Sequence, residues 1–454
     1  MSDDWRNYVR RIEELAASSG LKFHPVDFEA VPDSFMMEIA VYGLPVRMPH
    51  WSFGVRYIRH LVQRNMGHSR IFEVMFPGDP CRAYLVDNNS LAENILVVAH
   101  VLGHADFSYR NALFRRSMEM MGGRILEQAA ARAHRIEAAL VEHGQEQVEA
   151  VLDAALSLEA HIDVNRRVYR TSNGNGEEPA PAEEEDPFQA RWRELPGETT
   201  PAPSEDAAPR MTSPQPEYDL LWFIAHHGPD LEGWERDIFL AVREESFYFY
   251  PVFACQIMNE GWASYWHARL LREADFLPED IYVPAIKAHS DVVRPHATGR
   301  TLALSVNPYH LGFSMWEKIV EMRGLEAARR ICAEEDDFGF VRNYLDPELA
   351  EGLDLFVFEA AADGSIKIVS RHIHAVREAI LAPRFNFGAP RVAATNVDID
   401  GSLSLAHDHA SDGRGLDLER AEHVLDYVAR VWRRPVTLTT VDDRGNRRLD
   451  VRPH

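Results

Sequence analysis

Two stretches of the chain carry metal-ligating side chains at helical spacing. In Ser90-Leu-Ala-Glu-Asn-Ile-Leu-Val-Val-Ala-His-Val-Leu-Gly-His-Ala-Asp-Phe, residues Glu93, His100 and His104 follow one another at offsets of seven and four. At 3.6 residues per turn they share one helix face within roughly 40°. Two imidazoles one turn apart can converge on a single ion, as in His-x-x-x-His zinc sites. In Gln256-Ile-Met-Asn-Glu-Gly-Trp-Ala-Ser-Tyr-Trp-His, residues Glu260 and His267 are two turns apart and share a face of a second helix. His100, His104, Glu260 and His267 are therefore the expected ligands of one nitrogen and oxygen site that needs no cysteine. Zinc suits two or three imidazoles with a carboxylate, whereas iron or manganese suits more carboxylates.

The pairing is similar to that of zinc metallopeptidases of the His-Glu-x-x-His class, in which a later Glu is the third ligand. Their catalytic Glu would stand at position 101, and here that residue is Val101. A base for water must then come from elsewhere, and Glu93 and Asp106 are the nearest candidates for that catalytic role. Glu93 has a second reading, because Ser90 three residues before it completes a capping-box spacing. Trp262, Tyr265 and Trp266 read as core or pocket wall. His226-His227 before Gly228 reads as a helix C-terminus, where the dipole favours imidazolium. His407-Asp-His409 with Asp412 reads as a solvated turn. No P-loop, dinucleotide fingerprint or nucleophile elbow is present.

The elements that must position these residues are mostly helical. Trp5, Tyr8, Val9, Ile12 and Leu15 recur at helical intervals before Gly20, and a loop rich in Pro and aromatics is expected next. Phe53–Arg64 reads as a helix, and Ile71–Phe76 with Arg82–Val86 around Pro77-Gly-Asp-Pro as a hairpin. Long helical patterns follow over 90–104 and 111–161. The expected class is a mainly α N-terminal region with a small β-hairpin, plus a C-terminal α+β domain. The division read from the sequence is a first part of the helical core at 1–170, a flexible acidic Pro-rich insertion at 171–216, a second helical part at 217–349, and the α+β domain at 350–454. In that last domain Leu355-Phe-Val-Phe and Ile366-Lys-Ile-Val read as strands, His374–Ala382 as a helix, and Asp400-Gly401 as a hairpin turn.

With 454 residues, 46% of them hydrophobic, the chain has ample material for a core. Its 71 acidic residues against 48 Lys and Arg give a net charge of −23, which argues against nucleic acid as a partner. Cys81, Cys255 and Cys332 are too few and too scattered for a disulfide framework. The first residues lack a secretory pattern and no apolar run approaches the roughly 20 residues of a membrane span. A reducing cytoplasm is the expected location.

Longer strings extend the pattern: Met48-Pro-His-Trp-Ser-Phe-Gly-Val-Arg-Tyr, Ala99-His-Val-Leu-Gly-His-Ala-Asp-Phe, Met258-Asn-Glu-Gly-Trp-Ala-Ser-Tyr-Trp-His, Asn307-Pro-Tyr-His-Leu-Gly and Asp336-Asp-Phe-Gly-Phe-Val-Arg-Asn-Tyr. On these the chain resembles the SpoVR family, named for a stage V sporulation protein, over nearly all its length outside 171–216. The resemblance implies a cytoplasmic bacterial protein of spore-cortex formation or stress physiology. It also implies the company of a PrkA-like serine kinase and a von Willebrand-type protein. It assigns no activity and no catalytic residue, so the metal site stands on spacing alone. Two functions are expected from this: a metal-dependent hydrolase, or a non-enzymatic scaffold acting with the kinase system.

Overall fold

The computed structural model describes residues 4–44, 47–65, 73–121, 124–166, 216–294, 306–360, 366–442 and 445–453. The acidic insertion expected at 171–216 lies outside them apart from Pro216. The described chain falls into two compact units, Met1–Leu152 with Ala241–Ala389, and Asp153–Leu240 with Pro390–His454.

In chain order the elements run α1 (Asp4–Ser18), β1 (Val26–Val31), α2 (Asp33–Tyr42), α3 (Trp51–Asn65), β2 (Glu73–Phe76), β3 (Cys81–Val86) and α4 (Leu91–Arg110). Then follow α5 (Ala112–Met121), α6 (Ile125–His143), α7 (Gln145–Ser157), α8 (Leu220–His227), α9 (Gly233–Ala254), α10 (Gln256–Glu273), α11 (Glu279–Val292) and α12 (Pro308–Arg323). The remainder is α13 (Leu325–Glu334), α14 (Asp337–Tyr344), α15 (Pro347–Gly352), β4 (Val357–Ala360), β5 (Ile366–Ser370), α16 (Ile373–Leu381), β6 (Val392–Val397), β7 (Leu403–His407), α17 (His409–Asp412), α18 (Leu418–Trp432), β8 (Val436–Asp442) and β9 (Gly445–Val451). A mainly helical N-terminal region with small sheets, followed by an α+β C-terminal region, is the observed class.

The core of the first unit is built on α4, α10 and α12. The start of α4 is set by Ser90 and Glu93, whose side chains each accept the other's backbone N–H. Nearly every position from Ala92 to Ser108 is buried, so over that stretch α4 is an interior helix with no solvent-exposed face. Close approach makes this possible. A Cβ on Gly103 would stand 2.6 Å from the Cα of Ala263, and one on Gly261 would collide with the backbone of Gly312. Glycines at the crossings therefore bring the axis of α10 against those of both α4 and α12. Trp262, Trp266 and Trp316 fill the space around them and are fully buried. Two carboxylates brace the triad. Asp337 accepts from the N–H groups of Ile257 and Met258, both at 2.9 Å, where α10 begins, and Asp106 accepts from the Trp262 indole at 2.9 Å.

The small sheet of this unit has the order β1-β3-β2, with β3 parallel to β1 and antiparallel to β2. The hairpin is where the sequence placed it. The loop expected after Gly20 instead contains β1 and α2. Val26, Phe28 and Ala30 alternate with exposed Asp27 and Glu29, the period of two that marks a half-buried strand.

In the second unit a four-stranded sheet runs β6-β7-β8-β9, and α18 makes the crossover between parallel β7 and β8. Gly401 takes a φ of +83° in the turn between β6 and β7, as the Asp-Gly pair requires. His407 is buried and not part of a solvated turn: its Nδ1 meets Thr440 Oγ1 at 2.9 Å and its Nε2 faces Asp412 at 3.4 Å. All three cysteines are free and buried.

Candidate metal centre

His100 and His104 project from the middle of α4, and Glu260 from the second turn of α10, into one space. His100 Nε2 lies 3.6 Å and His104 Nε2 3.5 Å from Glu260 Oε2, and the three ligand atoms fall within 4.8 Å of one another. Metal–ligand bonds of about 2.1 Å at tetrahedral angles put neighbouring ligand atoms roughly 3.4 Å apart. The two observed edges match that spacing, while 3.6 Å is too long for a hydrogen bond. His100 Nε2 and Glu260 Oε2 are accordingly buried polar atoms with no hydrogen-bond partner. Orphaned donors and acceptors of this kind cost free energy unless something else satisfies them, and here they face each other across a ligand-sized gap. The donor set could hold a metal ion.

The ring nitrogens pointing away from the gap are held. His104 Nδ1 donates to Asn259 Oδ1 at 2.8 Å, which leaves its Nε2 with a lone pair toward Glu260. His100 Nδ1 lies 2.9 Å from His267 Nδ1, and His267 Nε2 lies 2.6 Å from His289 Nδ1 on α11. Two proton orders satisfy the chain, running in opposite directions, and ligation by His100 selects one of them. In that order His100 donates from Nδ1 to His267, which donates from Nε2 to His289, and His100 Nε2 is again left as a lone pair. Burial, followed by the neighbouring imidazole and guanidinium charges, depresses His267 well below the ordinary range and takes His289 down to about 4. Burial and the nearby His100 likewise lower His104. Each shift favours the neutral ring, the form that binds metal.

Two further residues complete the surroundings. Glu73, from β2, places Oε1 3.8 Å from His100 Nε2. Burial first, and then the Glu260 charge, pushes its carboxyl up to about 7 against the opposing pull of His104. Tyr309, at the start of α12, lies beside Glu260 and stacks on His100 with ring centroids 6.1 Å apart. Burial works to raise the Glu260 carboxyl, but the two imidazoles and the Tyr309 hydroxyl outweigh it and hold it below its usual value. His100 is 3% exposed and His104 12%, whereas Glu73 and Glu260 are 19% and 20% exposed. The two carboxylate side chains are thus the more exposed members of the group, although the Glu260 Oε2 atom facing the gap is itself buried.

Not every residue singled out by spacing joins this group. His267 stands one layer behind, with both ring nitrogens engaged, and it orients His100 instead of facing the gap. Glu93 shares the helix face but lies seven residues, roughly 10 Å, down the axis. Its carboxylate accepts from the Ser90 N–H at 2.7 Å. Asp106 is turned about 200° around α4 from His104. Its oxygens accept from Lys22 N–H at 2.7 Å, from Arg110 Nε at 2.7 Å and from the Trp262 indole. It is a buried structural carboxylate, and neither it nor Glu93 is placed to move a proton at the gap. Asn259 and Tyr309 lie inside strings already conspicuous in the sequence. Glu73 and His289 carry no local signal, since a lone carboxylate on a short strand and a lone imidazole on a helix have no spacing partner.

Comparison with known proteins matches residues 2–388 to the family described as SpoVR like protein, and residues 390–443 to the SpoVR-like C-terminal domain. The junction between the two matches coincides with the last boundary between the compact units, at Ala389 and Pro390. A relative from Escherichia coli (strain K12), bearing the name "Uncharacterized protein YcgB", is 27% identical over 486 residues, covering 97% of this chain and 92% of the relative. No solved structure matches. No helix among the described residues is long and apolar enough to cross a membrane.

Proposed function

The chain belongs to the SpoVR-like family, and from that premise we propose that its helical core is a divalent-metal site of a cytoplasmic hydrolase in sporulation or stress physiology. The single observation that carries this reading is the convergence of His100 Nε2, His104 Nε2 and Glu260 Oε2 on one gap, two of them buried without partners. His100, His104 and Glu260 would hold the ion, and Glu73 stands close enough to serve as a fourth ligand or as the base. Two imidazoles and one carboxylate suit zinc, and the same set suits iron(II); a second carboxylate shifts the preference toward iron or manganese. When bound, such an ion polarises a carbonyl or phosphoryl oxygen and acidifies water.

The chain's own residues supply the rest. Position 101 is a buried valine, which has no group to accept a proton, so the base of the peptidase motif is missing from its usual place. Glu73, from another element, would take that role, since its Oε1 lies 3.8 Å from His100 Nε2 and its carboxylate could accept a proton from water at the gap. The Asn259 amide holds His104 in place, and His267 with His289 fixes the ring of His100.

One observation favours the alternative, a scaffold acting with a PrkA-like serine kinase and a von Willebrand-type protein. The imidazoles form a bonded chain across three helices, α4, α10 and α11, which would clamp them together without any ion. Elemental analysis of untagged protein separates the two readings. The metal reading expects about one equivalent of a single transition metal, lost in His100→Ala. Less than about a tenth of an equivalent, with no change in that variant, would remove it.

A further inference from the structure

Helix α3 turns apolar side chains in two opposite directions. Trp51, Val55 and Ile58 recur at offsets of four and three and share a face within about 60°, and Phe53 lies across the helix from them. Phe53 is buried and meets the Tyr42 ring edge-on, with centroids 5.1 Å apart, so its side is the one that packs on α2. The other face is open. Trp51 touches the His50 ring and is still 53% exposed, while Val55 is 59% and Ile58 64% exposed. Gly54 stands beside them, and a Cβ there would meet no atom within 4 Å. Exposed apolar residues scattered singly are ordinary, but a row along one helix marks an interaction surface.

Charge identifies the kind of partner. The chain has 71 acidic residues, yet none falls between Glu38 and Glu73, a span in which its average would place about five. The same span holds Arg47, Arg56, Arg59, Arg64 and Arg70. Arg47 is paired inside the fold with Glu245 at 2.6 Å. Arg56 and Arg59 are exposed on α3, and Arg59 lies about 40° around the helix from Val55, on the flank of the apolar row. The acids of α2, Asp33 and Glu38, belong to the helix that meets α3 on its packed side, through Tyr42 and Phe53. On a protein of net charge −23 this surface is locally basic, and it complements a negatively charged one.

We propose that α3 docks the protein on an anionic lipid surface, with Trp51, Val55 and Ile58 entering the boundary between headgroups and acyl chains and with Arg59 and Arg56 reaching the lipid phosphates. An aromatic and aliphatic row flanked by arginines, on a helix without an acid, is the chemistry of a helix lying in a bilayer interface. Three side chains that each stand more than half exposed form a ridge. Lipid deforms around a ridge, whereas an acidic protein would need a matching groove. Nucleic acid would engage the arginines and leave Val55 and Ile58 in water. The acid surplus elsewhere on the chain does not oppose the contact, because the Debye length at physiological ionic strength is about 8 Å and only the charges close to the bilayer act on it. The inference is independent of the metal-site reading.

The test is sedimentation of the full chain with vesicles of phosphatidylcholine, alone or with about 30% phosphatidylglycerol. Binding to the mixed vesicles is expected to be at least about tenfold stronger than to the neutral ones, and to weaken as salt is raised. Ile58→Glu and Arg59→Glu alter exposed positions, and each is expected to weaken binding at least about fivefold with the unfolding midpoint unchanged. Phosphatidylcholine brominated on its acyl chains is expected to quench tryptophan fluorescence of the bound protein, and Trp51→Phe to remove most of that quenching while most of the binding remains. No binding at about 1 mM lipid, equal binding to neutral vesicles, or binding unchanged in both Glu variants overturns the proposal. Quenching that survives Trp51→Phe overturns it as well. A dimer that forms without lipid and falls apart in Ile58→Glu would assign the ridge to a second copy of the chain, with the same consequence.

Discussion

At the scale of single residues, the centre depends on which nitrogen of each histidine is free. Asn259 determines that for His104, and metal ligands whose outer partner is removed commonly lose about 10–100-fold in affinity. Asn259→Ala is expected to weaken metal binding by that factor while leaving thermal stability nearly unchanged, as a competition titration against a chelator would show. Asp106 makes the opposite case. Its removal strands the Arg110 guanidinium and the Trp262 indole in the core, so Asp106→Ala is expected to cost about 3–5 kcal/mol in denaturant unfolding with no change in metal stoichiometry of the folded fraction. Loss of metal with unchanged stability would instead make Asp106 part of the centre. The histidines and Glu260 were legible in the sequence because helical spacing converts directly into a shared face. Glu73 was not, because nothing local records that a strand will fold over the middle of α4.

At the scale of elements, the site is a consequence of how closely three helices can approach. A methyl group on Gly261 would meet the Gly312 backbone, which cannot give way as a side chain can. Gly261→Ala is therefore expected to destabilise by roughly 1–3 kcal/mol or more and to reduce metal content together with stability, since α10 must move to accommodate it. Ser90→Ala touches only the helix start, and a loss of about 1 kcal/mol with full metal content is expected. Metal loss in Ser90→Ala, measured on folded protein, would show that the position of the α4 terminus matters to the site. The capping box, the hairpin after residue 71 and the Asp400-Gly401 turn could all be read in advance, because each is governed by neighbours in sequence. The glycine crossings could not, since Gly103, Gly261 and Gly312 acquire meaning only when their helices meet. The strand Val26–Val31 had its alternation in plain view and was hidden by the prolines and aromatics around it.

At the scale of the whole molecule, the buried imidazoles set the response to acid. Burial, aided by nearby positive charge at His227 and His289 and opposed by a backbone hydrogen bond at His161, takes all three down to about 4. An unfolded chain takes up those protons near pH 6.5. Between the two values the unfolded state binds more protons, so stability is full above about pH 6.5 and is lost as pH falls toward 4. Glu73 and Asp337, whose carboxyls burial pushes up to about 7, act in the opposite sense over the same window. The imidazole contribution is therefore read by difference: between pH 7 and pH 4.5 the urea midpoint is expected to drop less in His161→Gln than in the unaltered protein, and an equal drop in both would contradict the neutral-imidazole assignment. The overall class could be recognised from helical periodicity and the change of texture in the last hundred residues. The way 1–152 joins 241–389 in one compact unit could not, because that depends on contacts far apart in sequence. The most direct test of the central claim is anomalous X-ray diffraction from crystals of untagged protein, collected on both sides of the zinc and iron absorption edges. A single peak about 2.0–2.2 Å from His100 Nε2, His104 Nε2 and Glu260 Oε2 is predicted. A map with no peak between those atoms, from protein shown by elemental analysis to carry its metal elsewhere or not at all, would contradict it.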